Sequence, residues 1–309
     1  MKAVQFHEVG GPEVLQYGDV ELPTPAAGQV RVRVAASAFN AADNGMRAGF
    51  LPIPIVLPHI PGYDVSGTVD ALGEGVRGLA LGDAVIGFLP MELDGGAAEY
   101  VIAPAEALVH APNSIQLADA AALPSVALTA WQALFDDGQL IAGQSVLIVG
   151  AGGVVGKYAI QLAKRAGVQV IATGSPRSID AVRAAGADHV IDHTNTALLD
   201  VLDGQVDVLL NLAPIEPEQF ATYVTAVRDG GVVVSTTAFM ATPDDKTRNV
   251  RAATVFVQPN RTRLAEIVSL VDAGALTVEV TQRIPLAELP DLHMQAAAGP
   301  IAGKVIVLP

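Results

Sequence analysis

Glycines at 150, 152, 153 and 156 interrupt the stretch SVLIVGAGGVVGKYAIQLAKRAG, Ser145 to Gly167, between an apolar run and a segment of helical periodicity. A strand ending at Val149, a glycine turn and a helix starting near Val154 leave unpaired N–H groups at the positive end of a helix dipole, where a pyrophosphate fits. The strict G-x-G-x-x-G register is not met: Ala151, Gly153 and Gly156 stand at its three positions, with Gly150 and Gly152 beside them. Glycine at 153 lets backbone approach a phosphate, and glycine at 156 lets the helix pack closely on the sheet. A glycine turn also occurs wherever a strand meets a helix, so the motif gains weight only from its strand, turn, helix and second-strand context. In that context the backbone of Ala151, Gly152, Gly153, Val154 and Val155 is the candidate phosphate cradle.

The second strand speaks to which dinucleotide is held. Selection of NAD usually places Asp or Glu at its end to bond the ribose hydroxyls, but here the chain reads VQVIATGSPRS and has no acid. Thr173, Gly174, Ser175 and Arg177 offer hydroxyls, a backbone N–H and a guanidinium, a set suited to the 2′-phosphate of NADPH. Arg177 taken singly is also what a solvated helix start carries. Asn211 and Ala213, at the end of the fourth strand, belong beside the cofactor because crevices open at the carboxyl ends of parallel strands.

The elements that must position these residues follow from periodicity. Short β-rich segments separated by Gly and Pro fill the first hundred residues: KAVQF, QVRVRVAAS, VSGTVDALG, DAVIGF and EYVIA. Beyond about Asn113 an alanine-rich helical stretch leads into apolar strands at Val146–Val149, Gln169–Ala172, His189–Ile191, Val206–Leu210, Val232–Ser235 and Ala253–Val257. Helices fall between them near Val154–Ala166, Ser178–Ala185, Glu216–Val227 and Arg261–Ala273. The alternation predicts an α/β fold with a doubly wound parallel sheet. The tail, ending in GKVIVLP, returns to β character and is expected to rejoin the first segment. The expected division is residues 1–115 with 274–309 as one domain and 116–273 as the inserted nucleotide domain.

Composition narrows the class. The chain has 309 residues, is 51% apolar, and carries 32 acidic against 18 basic side chains, a formal charge of −14. Such a surface repels nucleic acid and anionic lipid. There is no cysteine, which excludes disulfides, thiolate nucleophiles and every cysteine-ligated zinc or iron–sulfur site. Mean hydropathy is high, +0.42, but the long uncharged runs are broken by proline or clustered glycine, so no membrane span is expected. The first residues lack a signal peptide's apolar core, and cytoplasmic residence is the expectation. None of the five tyrosines is followed by lysine four positions later, so the Tyr–Lys pair of short-chain dehydrogenases is absent.

Eight fragments stand in order along the chain: VAASAFNAADNGMRAG, HIPGYDVSGTV, GDAVIGF, GGAAEYV, ALTAWQAL, VGAGGVVGKYAIQLAK, AGADHVID and AGKVIVLP. Through them the whole chain resembles the medium-chain dehydrogenase/reductase superfamily, in its zinc-independent quinone oxidoreductase and enoyl reductase branch. The resemblance implies a Rossmann domain inserted in a GroES-like mainly-β domain, an active site where they meet, NADPH as hydride donor, and commonly a homodimer. Zinc-dependent members of the superfamily would place cysteine where Asn40 stands, histidine where Tyr63 stands and a third thiolate near Ser125. Without them the implied chemistry is hydride delivery to an acceptor that is already electron-poor, a quinone or an α,β-unsaturated carbonyl.

The resemblance also assigns roles. Asn40 would hold the acceptor's carbonyl oxygen through an amide N–H, the alternative being an asparagine that closes a turn. Asp43 would order its loop and the cofactor's amide or ribose, or be a solvated turn carboxylate. Tyr63 would aim its phenol into the cleft or act as a half-buried packing residue. Relatives often carry a tyrosine just after the N-x-x-D segment; GMRAGFLPIP has none. Thr129 would meet the nicotinamide carboxamide or bond its own helix. His193 would lie against the adenosine phosphate or on open surface, and Lys304 would reach the cofactor or anchor the last strand. No histidine pair has metal-ligand spacing, and Asp64 is read as a turn and packing position. The rival to an enzyme is a protein that keeps the fold and NADPH but turns over weakly, a possibility the missing loop tyrosine leaves open.

Overall fold

The computed structural model describes residues 1–202, 204–237 and 239–309. Strands β1 (Lys2–Phe6), β2 (Leu15–Asp19) and β3 (Gln29–Ala38) precede the short helix α1 (Ala41–Arg47), and β4 (Asp64–Leu72), β5 (Ala84–Phe88), β6 (Tyr100–Pro104) and β7 (Leu108–His110) follow it. After helix α2 (Pro124–Trp131) come β8 (Ser145–Val149), α3 (Val154–Arg165), β9 (Gln169–Gly174), α4 (Ile179–Ala184) and β10 (His189–Asp192). The chain continues through α5 (Leu198–Val201), β11 (Val206–Asn211), α6 (Pro217–Tyr223), β12 (Val227–Ser235) and β13 (Arg251–Thr254). It closes with α7 (Arg261–Asp272), β14 (Gln282–Pro285), α8 (Leu289–Ala298) and β15 (Val305–Leu308). Two compact units result, Met1–Ser125 with Pro259–Pro309, and Val126–Gln258.

In the first unit the strands run β14-β15-β3-β4-β5-β7 across one sheet, with β6 on β3. β3 alternates as the pattern QVRVRV demands: Val30, Val32 and Val34 are buried, while Arg31 and Arg33 point away from the core. The C-terminal strand does rejoin this unit. Antiparallel pairing sets Ile306 opposite Ala38 and Val307 opposite Ser37, and Phe39 N–H bonds Val305 O at 3.0 Å. Continuing that register one step brings Lys304 opposite Asn40, a juxtaposition of residues far apart in the chain. Phe6, Leu15, Ile60, Leu289 and Val307 close a core beneath.

The boundaries differ from the sequence expectation at both ends. Residues 116–125 and 259–273 go with the first unit, because Asp272 Oδ1 at the end of α7 accepts the N–H groups of Asn113 (2.8 Å) and Ser114 (2.9 Å). Arg283 adds an ion pair to Asp119 at 2.6 Å. Helical periodicity reveals α7 but not the sheet it packs on.

The second unit is a parallel sheet in the order β10-β9-β8-β11-β12-β13, with β8 apolar and buried over Val146–Val149 as a strand covered on both faces must be. The order reverses between β8 and β11, so a crevice opens at the carboxyl ends of those two strands. β12 begins at Val227, five residues before its expected start, and β13 ends at Thr254 where Val257 was expected. Among the described residues no helix is long and apolar enough to cross a membrane.

Helix α3 sits tight on the turn before it because residue 156 has no side chain. A Cβ at Gly156 would lie 2.3 Å from Ala151 O and 2.6 Å from Ala151 C, and backbone cannot give way as a side-chain tip can. Gly156→Ala should therefore cost about 1–3 kcal/mol, read as a lowered urea midpoint at unchanged m-value; a wild-type midpoint would contradict the packing described.

Candidate functional site

The glycine turn of the second unit is built by residues remote in sequence. Gly150 takes φ +81°, a conformation that favours glycine, and its N–H donates to Thr173 Oγ1 at 3.0 Å. A Cβ at 150 would press on Ala213 Cβ at 2.9 Å, and one at 152 would meet Ser178 Oγ at 2.5 Å. At Gly153, by contrast, the nearest atom to a Cβ is 3.6 Å away. Gly153 is exposed and caps α3 with an extended φ of −77° and ψ of 174°. The first N–H groups of α3 have no intrahelical acceptor, and they rise beside the one glycine of the turn with open space. Two closed glycines and one less crowded one thus stand at a helix N-terminus, whose N–H groups favour an anion.

The residues expected at the cofactor in this unit differ in exposure and partners. Ala151 is buried, while Gly152, Val154 and Val155 are half-buried around Gly153. Thr173, expected to offer its hydroxyl to a ligand, is only 2% exposed and spends that hydroxyl on Gly150, so it shapes the turn from below. Gly174 ends β9, buried, with its carbonyl taking the His193 N–H at 3.1 Å. Ser175 N–H donates to Ser178 Oγ at 3.0 Å, which fixes the bend after β9. Arg177 and the His193 side chain are exposed. Asn211 is fully buried and closes on its own turn, its Nδ2 donating to Ala213 O at 3.0 Å and its Oδ1 accepting Ala213 N–H at 3.3 Å. Its amide therefore holds Ala213 against Gly150 and is not presented outward. Thr129 is half-buried on α2.

In the first unit Asn40 caps α1, and Asp43, three residues on, returns its carboxylate Oδ2 to the Asn40 N–H at 2.7 Å, the reciprocal pattern of a capping box. Asp43 Oδ1 accepts Gly62 N–H at 3.3 Å. Asp43 is 1% exposed, so the solvated-turn alternative fails, and so does a contact with cofactor, since both oxygens face inward on backbone donors. Burial pushes its carboxyl up to about 7 against the pull of the Asn40 N–H and the Lys304 ammonium, with the Asp64 carboxylate adding to the rise.

Asn40 itself is fully engaged. Lys304 Nζ donates to its Oδ1 at 2.6 Å, while its Nδ2 donates to Asp64 Oδ2 at 3.0 Å and to Ala38 O at 3.3 Å. A cation on one side and a carboxylate on the other fix which end of the amide is which. Both amide N–H groups are engaged within this unit, and the cap on α1 agrees with the turn-closing reading of Asn40. Of the two readings of Lys304, the contacts agree with the anchor: at 2% exposure its ammonium reaches Asn40, Asp64 Oδ2 (3.3 Å) and Phe39 O (3.4 Å).

Asp64, read from sequence as a turn residue, is the hub that reading missed. It is fully buried, and Ser125 gives it two further donors, N–H to Oδ1 at 2.7 Å and Oγ to Oδ2 at 2.6 Å. The sequence signal was a carboxylate at the start of a strand, DVSGTVDAL, whose next residues alternate apolar and small polar ones. Tyr63 is buried at 2%, and its hydroxyl lies 2.9 Å from His59 Nε2. The His59 Nδ1 lies 3.6 Å from the carboxylate of Asp94. Burial pushes the phenol well above its usual range, the Asp43 and Asp94 carboxylates adding to it, and burial lowers His59 against the pull of Asp94. The phenol thus points to His59, not to an open surface. The four-residue spacing of His59 and Tyr63 was the overlooked clue.

Comparison with known proteins completes the site. Residues 26–113 match the model described as an alcohol dehydrogenase GroES-like domain, and residues 185–307 the model described as a zinc-binding dehydrogenase. The quinone oxidoreductase of Pseudomonas aeruginosa is 32% identical over 100% of this chain and 99% of its own length. Among solved structures, the quinone oxidoreductase from Coxiella burnetii aligns with a TM-score of 0.90 at 29% identity, covering 100% and 99% of the two chains. An NAD-dependent alcohol dehydrogenase aligns at 0.90 and 30% identity, and a mycobacterial protein solved with NADPH at 0.85 and 26%, each over 100% of both chains.

The Asp43 environment predicts a pH dependence of stability. Its folded value lies above the ordinary 3.8, so the native state holds a proton that the unfolded chain has released. That contribution is complete below 3.8 and is lost as pH rises through about 7. Urea midpoints taken across this interval should fall less in Asp43→Asn than in the wild type; parallel declines would refute the assignment.

Proposed function

The chain belongs to the quinone oxidoreductase branch of the medium-chain dehydrogenase/reductase superfamily and is an oxidoreductase; from that premise we propose that it takes NADPH as hydride donor and reduces a quinone or an α,β-unsaturated carbonyl without metal. The observation that carries the cofactor half is the glycine turn at the strand-order reversal, with its one open glycine at the N-terminus of α3. A bound nicotinamide dinucleotide supplies the hydride. The residues that would hold it are the backbone of Ala151 to Val155 for the pyrophosphate, and Ser175 with Arg177 for a 2′-phosphate. Support for the phosphorylated form comes from the end of β9, where no carboxylate stands and Arg177 is exposed with no partner among the described residues.

The acceptor half rests on donor chemistry. Asn40, Tyr63 and Ser125, at the positions where zinc-dependent members of the superfamily carry ligands, present an amide, a buried phenol and a hydroxyl, and each is held by other groups. Zinc favours thiolate, imidazole and carboxylate, so this set does not fit it. With no Lewis acid to activate an alcohol, the productive direction is hydride onto an acceptor that is already electrophilic. Homodimeric assembly belongs to the same proposal and rests on the family resemblance.

The test is oxidation of NADPH and NADH against paired panels of quinones and enones. Arg177→Ala should raise KM for NADPH by about ten- to a hundredfold, the worth of one charge-assisted bond, and leave the NADH constant near its wild-type value. Equal use of the two cofactors by the wild type would remove the NADPH assignment. Tight NADPH binding with no turnover on either panel would favour the weakly active alternative.

A further inference from the structure

The family model that matches the C-terminal part of the chain is described as zinc-binding, yet the group set among Asn40, Asp64 and Ser125 is a lysine ammonium. Lys304 Nζ lies 2.6 Å from Asn40 Oδ1, 3.3 Å from Asp64 Oδ2 and 3.4 Å from Phe39 O. Ser125 Oγ sits 2.6 Å from the same carboxylate oxygen and 3.5 Å from Asn40 Oδ1. Lys304 is 2% and Asp64 0% exposed, so the positive charge faces oxygen on several sides away from water. The amide oxygen, carboxylate and backbone carbonyl around Lys304 Nζ are hard donors suited to a compact cation, and a buried carboxylate demands one.

We infer that this is a cation site filled by the protein's own side chain: Lys304 is a tethered ammonium that stands in for a metal ion and, by tying Asn40, Asp64 and Phe39 to one point, acts as a positioning residue for the segments that carry them. The inference rests on the metal-free reading above and extends it, since it says what replaced the ion. It accounts for the register of the C-terminal strand, whose pairing with β3 delivers Lys304 to Asn40. It also accounts for the oxygen-only surroundings, because an ammonium needs three acceptors and no imidazole or thiolate.

A cation held by a tether is replaceable by the same cation without one. Lys304→Ala removes the side chain beyond Cβ, and propylammonium restores the missing three carbons and nitrogen. The variant should melt lower than wild type by on the order of 10 °C and lose at least about tenfold in turnover with NADPH. Millimolar propylammonium should recover both, more than methylammonium or hexylammonium does, while leaving the wild type unmoved. A purely structural gap would be filled equally by neutral propanol. The melting readout requires no enzymatic activity, so its failure is distinguishable from failure of the oxidoreductase reading. Should Lys304→Ala not fold, the double variant Lys304→Met, Asp64→Asn, which buries no lone charge, is expected to fold, turn over slowly and ignore propylammonium. Wild-type turnover in either variant, rescue by propanol as good as by propylammonium, or about one equivalent of zinc in the purified wild-type protein would overturn the inference.

Discussion

A carboxylate with no access to water must be answered by donors, and Asp64 is answered from three directions. Its partners are Asn40, 24 residues away, Ser125, 61 away, and Lys304, 240 away. Taking such a group out of water costs several kcal/mol, and removing one member of a buried ion pair typically costs about 3–5 kcal/mol. The start of β4, the start of α1, the start of α2 and the approach to β15 are therefore bound to one point. The hydrophobic core could tolerate some sliding of these segments; two charges with fixed hydrogen-bond directions do not.

The second unit solves a different problem by similar means. Its turn needs a left-handed Gly150 and close backbone contact with the 211–213 segment, and both are secured by polar side chains beneath the surface. Thr173 accepts the Gly150 N–H, and Asn211 folds its amide onto Ala213. These two residues do not face outward. Gly153 and Arg177, by contrast, are exposed. At the base of the unit the amide of Gln132 exchanges two hydrogen bonds with the backbone of Gln258, 2.7 and 3.0 Å long, which ties its first and last segments together.

How much of this could be read in advance depended on range. The glycine turn, the six parallel strands and the helices between them were legible because strand and helix periods repeat within a few residues. The return of the C-terminal strand was legible from its β character. The limits of the inserted unit were not, because α7 is assigned by Asp272 reaching back to Asn113 and Ser114, a contact invisible to periodicity. Asn40, Tyr63 and Lys304 stood out in the sequence, but an outward role and an inward one stayed open for each, since a side chain's type says what it can bond and not what already bonds it.

The order of residues alone determined the class of fold, the glycine turn and the lack of an acid after the second strand of the parallel sheet, all properties of contiguous segments. Only the tertiary structure decided that Lys304 faces Asn40, that Asp64 is a buried hub and that the Tyr63 hydroxyl turns to His59. The physical reason is that burial and hydrogen-bond saturation arise only when distant segments meet: a polar group committed inside the protein and one free to meet a ligand are identical letters until their partners arrive.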